Sequence, residues 1–429
     1  MKIVNSFVQS ERQNFLNPIR AFLPQNVVIP LSNCHGDKYS PAVQPGDSVS
    51  EGQVIATPKP GITKQNAALI HSPVPGKVTQ ISTCTLPNGK ISKAICIRVV
   101  GSFTYLGKKV QPLFWESFTP SYINEVFSQK GVMNTFLNEE SLSSQIDERK
   151  NDKIKTLVVR LFDEDTSRMT DKFVAKYFTN QILEGAQIVA KAYDADHIVF
   201  MVPMKNQMQL NLENFRKIPA ISIEVNTAKY PVGFKQNLIK QISENSQIKV
   251  NSKSLFVDSL TLFNAFNAVV YGIPVVEQLV HITGNCLRSA GMFKVRLGAT
   301  IGNLAEQCGG FKTPVSKIII NGMIVGNAVT SMDVPVTQQI KSVMFVPSND
   351  LSDQRIMPCI RCGKCREICP ENLFPDLIYR HHNGGKQVGK ELLESSILCS
   401  SCSLCNSVCP SRLPLSQTIN LVKEKIYEK

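Results

Sequence analysis

The chain has 429 residues, 43% hydrophobic and 19% charged, a composition that supplies several packed cores and excludes a disordered or low-complexity chain. Lys and Arg outnumber Asp and Glu by 47 to 34; the net charge of +13 favours an anionic partner, but the basic residues are scattered rather than blocked and name no class of partner. The N-terminus MKIVNSFVQSERQNF has no apolar secretory core, and runs such as HIVFMVPM and AVVYGIPVVEQLV are too short or interrupted to cross a bilayer. The expectation is a chain without signal peptide or transmembrane helix, in a reducing cytoplasm that argues against a disulfide framework for its 13 cysteines.

In chain order, residues 1–24 read as an N-terminal segment and 25–105 as a β-rich domain. Within the latter, VQPGDSVSEGQVIA (43–56) and HSPVPGKVTQI (71–81) are short strands punctuated by Pro-Gly and Gly-Asp turns. They resemble the barrel-sandwich hybrid of biotinyl and lipoyl carriers. Such a carrier displays its Lys at a hairpin tip, whereas Lys77 stands at a strand start, so a structural or docking domain is expected.

Residues 106–260 alternate. KTLVVRLF and HIVFMVPM read as buried strands, with DKFVAKYFTNQILEGAQIVAKAY between them as one long amphipathic helix and AISIEV as a further strand, a pattern of βαβ units around a mostly parallel sheet. Over 261–330, LFNAFNAVVYGIPV reads as a helix ending at a Gly-Ile-Pro turn, followed by a small α+β unit in QLVHITG, FKVRLGATIGNLAEQCGG and SKIIINGMIVGNAV. Residues 331–357 read as a connecting strand and linker into a last domain, 358–429. Cys34, Cys84, Cys96, Cys286 and Cys308 stand in no ligand spacing and are expected as small apolar residues.

The last domain carries the strongest signal. Cys359-x2-Cys362-x2-Cys365-x3-Cys369-Pro370 is followed by Cys399-x2-Cys402-x2-Cys405-x3-Cys409-Pro410. Both reproduce the C-x2-C-x2-C-x3-C-P run of bacterial ferredoxins, in which the fourth Cys ligates the other cluster. Three thiolates on one tight loop hold three irons of a cubane, and the loop cannot close over the fourth. On this logic Cys359, Cys362, Cys365 and Cys409 hold one [4Fe-4S] cluster, and Cys399, Cys402, Cys405 and Cys369 hold the second. Zinc needs four ligands, usually as two C-x2-C pairs, so the third step and the trailing Pro exceed its requirement. Small residues (Gly363, Ser400, Ser401 and Ser403) let backbone N–H groups approach the sulfurs. Arg361, Lys364 and Arg366 favour the reduced state of the first cluster, which is therefore expected to have the higher potential. Between the motifs a helix, a Gly-marked break at 383–385 and a second helix are expected, with His381 and His382 as solvated residues near a helix C-terminus.

The order of domains resembles the RnfC family, the C-type component of the Rnf ion-translocating electron-transport complexes, and is also similar to the cobalamin reductase of propanediol utilisation. The phrases that carry the resemblance run over about 25–425: VQPGDSVSEGQVIA, HSPVPGKV, KYPVG, YGIPVVEQLVHITG, VRLGATIGNL and CIRCGKCREICPENLFP. It implies a multidomain α/β fold: an N-terminal barrel-sandwich hybrid, an α/β domain like the complex I flavoprotein, a soluble-ligand-binding β-grasp (SLBB-like) unit, and a C-terminal α-helical double-cluster ferredoxin domain. It also implies a flavin and NADH site built on a Gly-rich G-x-G-G-x-G-F-P-T loop and an acidic N-x-x-E-x-E-P strand end. Here the corresponding stretches are FSQKGVMNTFLNEES (127–141), whose one glycine is Gly131, and VVRLFDEDTSRMTD (158–171), with Asp163, Glu164 and Asp165. Backbone N–H groups cradle phosphates only where side chains are absent, and Met133, Phe136 and Leu137 are bulky. The acidic run then reads as a relic of the strand end or as a solvated turn. The chain is expected neither to bind FMN nor to oxidise NADH itself.

The resulting expectation is an electron-transfer subunit, peripheral on the cytoplasmic face of the cell membrane. It would relay electrons through two [4Fe-4S] clusters between the complex's other subunits and a soluble acidic carrier, a ferredoxin or flavodoxin. One rival is a soluble NADH- and flavin-dependent enzyme of the cobalamin-reductase kind. Another is a zinc-bearing module whose charge meets nucleic acid, but no basic stripe or aromatic-interleaved motif supports it.

Overall fold

The computed structural model describes residues 18–33, 36–37, 39–61, 67–136, 140–205, 207–208, 218–348, 355–384 and 387–427. Cys34 and Leu137 lie outside them. The chain divides into two compact units, one of residues 1–233 and 237–348, the other of 234–236 and 349–429.

The first unit begins with two small antiparallel sheets. One has the strand order Asn26–Pro30, Ile91–Val99, Gly76–Thr85, Ser48–Val49; the other joins Tyr39–Pro41, Val54–Pro58 and Ile70–His71. Val27, Ile29, Val49, Ile55, Val78, Ile95 and Ile97 form their common core. The Gln-Pro-Gly-Asp turn closes as its residue types predict: Asp47 Oδ2 accepts the Gln44 N–H at 2.7 Å and Gly46 takes φ +101°. Lys77 lies within a strand opposite Arg98, away from any hairpin tip.

Next comes a fully parallel sheet in the order Ala220–Val225, His197–Pro203, Thr156–Arg160, Leu255–Asp258. The strands His197–Pro203, Thr156–Arg160 and Leu255–Asp258 are mainly apolar and buried because both faces are covered, whereas the edge strand Ala220–Val225 leaves Ile221 and Glu224 exposed. Leu157 and Val159 point into the core shared with the helices Pro120–Gln129, Thr179–Tyr193 and Ser259–Val270. Val158 points into the opposite core with Leu238 and Ile242 of the helix Lys235–Asn245. Gly185 lies so close to the Leu262 carbonyl that a Cβ there would collide with it, which explains a glycine in mid-helix. The helix expected over 171–193 is two, Thr170–Tyr177 and Thr179–Tyr193. Phe178 leaves helical geometry (φ −122°, ψ 34°) and stacks on Phe263, centroids 4.8 Å apart. Aromatic packing overrides a periodicity that runs through unbroken.

A mixed six-stranded sheet completes this unit, in the order Ile19–Arg20, Gly291–Arg296, Glu277–Thr283, Ser342–Pro347, Val315–Ile320, Asn327–Val329, with the helix Ile301–Gln307 beside it. Two of these strands come from stretches read as segment and linker. Ser342–Pro347 lies in the middle of the sheet, paired on both sides, and Ile19–Arg20 is an edge strand parallel to Gly291–Arg296.

The second unit is built of short helices: Lys364–Glu367, Pro375–His382, Lys390–Glu394, Leu404–Ser407 and Leu415–Tyr427. No helix among the described residues is long and apolar enough to cross a membrane.

Candidate metal centres

The two cysteine loops repeat one backbone geometry. Arg361, Gly363 and Asn372 have positive φ of 58°, 80° and 53°; forty positions on, Ser401, Ser403 and Arg412 have 58°, 58° and 56°. Each loop winds through left-handed residues into a one-turn helix (Lys364–Glu367 and Leu404–Ser407) that presents the third Cys. Side chains at left-handed positions are uncommon, and their recurrence at the same offsets marks a loop shaped around something rather than a default turn.

Two cavities result. The first, about 330 Å³ with its opening, is lined by Cys359, Cys362, Cys365 and Cys409. The second, about 320 Å³, is lined by Cys369, Cys399, Cys402 and Cys405. Each thus receives three thiols from one loop and the fourth from the other. Chain crossing supports the exchange: Met357 N–H donates to the Ser411 carbonyl at 3.0 Å and Ser411 Oγ to the Pro358 carbonyl at 2.8 Å. Among the described residues no group of three or more His, Cys, Asp or Glu is placed to hold a metal ion directly; the thiols ring a void. None of the described cysteines forms a disulfide.

The donor set fits a thiolate-bound cluster. Ser401 N–H approaches Cys399 Sγ, and Leu373 N–H approaches Cys369 Sγ, each at 3.4 Å, the kind of hydrogen bond that lowers the charge carried by sulfur. Burial pushes the Cys399, Cys402 and Cys405 thiols up, Cys405 to about 12, and Cys365 is raised for the same reason. Buried thiols of this kind need a cationic centre to hold them as thiolates.

The surroundings differ between the loops. Arg366 is not an open charge beside the first cavity: its Nε and Nη2 bind Asp376 at 2.6 and 2.7 Å. Burial opposes ionisation of Asp376, but Arg366 and Arg380 hold its carboxyl below the usual range. The equivalent residues of the second loop are neutral, Asn406 accepting the Ser416 N–H at 2.8 Å. One of the three cations expected to raise the first potential is therefore neutralised. His381 and His382 end a helix, half-buried, and His381 Nδ1 accepts the Val388 N–H at 3.3 Å.

The flavin-like region of the first unit has a cavity of its own, about 620 Å³ with its opening, lined among others by His71, Gly131, Met133 and Gln338, and its strand ends carry a network of buried charges. Arg160, fully buried at the end of its strand, lies over the Phe136 ring at 4.2 Å and donates to the Gly233 carbonyl at 2.8 Å. It pairs with Glu164, which Arg168 also reaches at 2.5 Å. Asp163 accepts the N–H groups of Asp171 and Lys172, each at 3.2 Å, and Asp165 those of Ile324 and Val325 at 2.8 and 3.0 Å. The acidic run is thus a buried joint with the neighbouring sheet, which corrects the reading of a solvated turn. Lys341, buried and unforeseen in the sequence, bridges Asp171 at 2.7 Å and Asp258 at 2.6 Å. Burial alone would raise Glu164 and Asp258; Arg160 and Arg168 bring Glu164 to about 2, and Lys341 and Arg160 bring Asp258 to about 2. Burial and the neighbouring Asp258 push Asp171 up to about 7. Gly131 (φ +74°) is hemmed in, since a Cβ there would lie 2.6 Å from the Leu69 carbonyl.

Comparison with known proteins agrees with this layout. Residues 10–101 match the RnfC barrel sandwich hybrid domain, and residues 141–277 match the Nuo51 FMN-binding domain. The C component of the proton-translocating ferredoxin:NAD(+) oxidoreductase complex of Clostridium ljungdahlii is 24% identical over 367 residues, 83% of this chain and 78% of that one. The C component of the ion-translocating oxidoreductase complex of Rhodobacter capsulatus is 24% identical over 418 residues, covering 95% and 79%. Its counterpart in Vibrio cholerae is 26% identical and covers 87% of this chain but 48% of its own length. Over most of its length, the chain resembles the C component of the Rnf-type ion-translocating oxidoreductase complexes.

Proposed function

We propose that the chain is the electron-transfer subunit of an Rnf-type complex, holding two [4Fe-4S] clusters through crossed cysteine ligands. The observation that carries this reading is the pair of cavities, each lined by three thiols of one loop and the fourth of the other. Cys359, Cys362, Cys365 and Cys409 would hold the first cluster, and Cys399, Cys402, Cys405 and Cys369 the second. Such clusters take up and return single electrons at potentials set by their surroundings. The protein's own part is to fix the sulfurs, exclude water and tune charge. Leu413 and Leu415 pack with Cys365 and Cys405 and provide a dry, rigid wall, while backbone N–H groups temper the thiolates. The six-stranded sheet with its helix would be the SLBB-like β-grasp unit, serving as architecture rather than catalysis.

The match to an FMN-binding domain raises the question of a flavin here. The Arg160–Phe136 stack and the Lys341 bridges argue that this chain retains the fold without the cofactor. Its electrons would come from a soluble acidic carrier, and its partners would be the other subunits of a membrane complex, at whose cytoplasmic face it would sit peripherally. Nothing in the geometry favours a flavin-dependent cobalamin reductase.

Anaerobic purification with iron, sulfide and flavin analysis tests the proposal. The expected result is about eight irons per chain, paired cluster signals by EPR after reduction, and no FMN retained or bound on titration. A colourless, iron-free protein would refute the cluster assignment, and stoichiometric FMN would refute the reading of the Arg160 region.

A further inference from the structure

The two cysteine loops are alike in backbone, both expose aliphatic side chains (Ile397 and Leu398 in the second), and they are unlike in surface charge. From 355 to 370 the sequence RIMPCIRCGKCREICP carries four basic residues and one acidic one; from 395 to 410, SSILCSSCSLCNSVCP carries no charge. The basic residues divide by role. Arg366 is held by Asp376, whereas Arg361 and Lys364 line the first cavity, are not buried, and take part in no ion pair among the described residues.

Apolar side chains lie among these cations. Ile356, Met357 and Ile360 are 61%, 57% and 67% exposed, beside Cys362, which is exposed where Cys402, its counterpart in the second loop, is buried. Ile360 itself lines the first cavity, and the Met357–Ser411 and Pro358–Ser411 hydrogen bonds fix the 356–358 segment at its mouth. Large exposed aliphatic groups interleaved in the sequence with exposed cations that form no ion pair among the described residues have the makings of a transient interface: apolar groups that exclude water and charges that steer.

We infer that the first loop is a docking surface for a small acidic one-electron carrier protein, seated on Ile356, Met357 and Ile360 and steered by Arg355, Arg361 and Lys364. The inference rests on the proposed cluster function and names the face at which the carrier meets this chain. Charge complementarity selects the occupant. The three cations attract an acidic surface, and the apolar centre suits a protein rather than a nucleic acid backbone, which would need a basic track. The uncharged second loop, with Ser401 and Ser403 turned to Asn420 and Ser416, has its polar groups spent internally.

Binding of an acidic plant-type [2Fe-2S] ferredoxin to the full chain, followed by calorimetry or NMR line broadening at rising salt, tests this. Iron content is measured first for every variant. Arg361→Glu/Lys364→Glu should weaken binding more than about tenfold at low salt and flatten its salt dependence. Ile360→Asp should weaken it by a similar factor without flattening the salt dependence. Lys390→Glu/Lys425→Glu makes the same charge change elsewhere on the unit and should stay within about twofold of the unsubstituted chain. Equal weakening by both charge-reversed pairs, or none by either, would overturn the docking surface. So would loop-dependent binding to anionic phospholipid vesicles but not to ferredoxin. An iron-free unsubstituted chain would instead sink the cluster assignment, and iron content separates the two failures.

Discussion

The parallel-sheet region and the cysteine unit solve opposite problems. In the first, Arg160, Arg168 and Lys341 pair with Glu164, Asp163, Asp171 and Asp258, so the buried charges at the strand ends meet opposite charges of the same chain. In the second, eight thiols surround two voids that nothing in the chain fills. A region that matches an FMN-binding domain can therefore carry a dense network of its own buried charges at its strand ends. Whether a site is live has to be judged by what fills it, not by which fold surrounds it.

The sharpest way to break the contrast is to remove one of these charges from the first region. Lys341→Met leaves Asp171 and Asp258 facing each other in the interior and should cost about 3–5 kcal/mol of stability. Trp115, the sole tryptophan and part of the first unit's core, reports urea unfolding of that unit, while cluster absorbance reports the other. An unfolding midpoint unchanged in Trp115 fluorescence would mean that the bridge is dispensable.

Acid should act on the first unit as well. Burial lowers His71 to about 4, with Lys130 adding to the effect, and burial lowers His281 to about 4. Between about pH 6.5 and 4 the unfolded chain binds these protons and the folded chain does not, so stability falls as pH drops through that window, by up to about 3 kcal/mol for each histidine. Asp171 works the other way: its stabilising share is full below about pH 4 and is lost as pH rises through 7. The net expectation is a loss of about 3 kcal/mol from pH 6.5 to 4 in Trp115-detected unfolding. His281→Asn should flatten the slope; an unaltered slope would remove His281 from the account.

Smaller effects sharpen the comparison within the cysteine unit. Asp376→Asn releases Arg366, which is partly exposed, and should cost about 1 kcal/mol after solvent screening. It should also speed bleaching of cluster absorbance in air. The exposed pair Lys390–Glu394, 3.4 Å apart, is the low end of the scale: Lys390→Ala should change stability by less than about 0.5 kcal/mol.

Local patterns were legible where local chemistry decides. The Gln44–Asp47 turn, the buried strands of the parallel sheet, the helix Ser259–Val270 and the ferredoxin-like spacing all declare themselves within a dozen residues. What stayed hidden depends on distant partners. Ser342–Pro347 reads as a connecting strand until Glu277–Thr283 and Val315–Ile320 flank it. Lys341 looks like a surface lysine until Asp171 and Asp258 meet it from 170 and 83 residues away. Phe178 breaks a helix whose periodicity gives no warning, because Phe263 lies across the interface. A buried Arg ending the run TLVVR was the available hint that ion pairs gather at the strand end.

The crossed wiring is tested most directly by two quadruple variants, each loaded anaerobically and assayed for iron and for reduced-cluster EPR. Replacing Cys359, Cys362, Cys365 and Cys409 by Ala should leave one complete ligand set, with about four irons and a single [4Fe-4S] signal. Replacing Cys359, Cys362, Cys365 and Cys369 should leave the second loop without its fourth ligand and abolish that signal. The reverse pattern, with the intact cluster surviving in the second variant and lost in the first, would contradict the crossed arrangement.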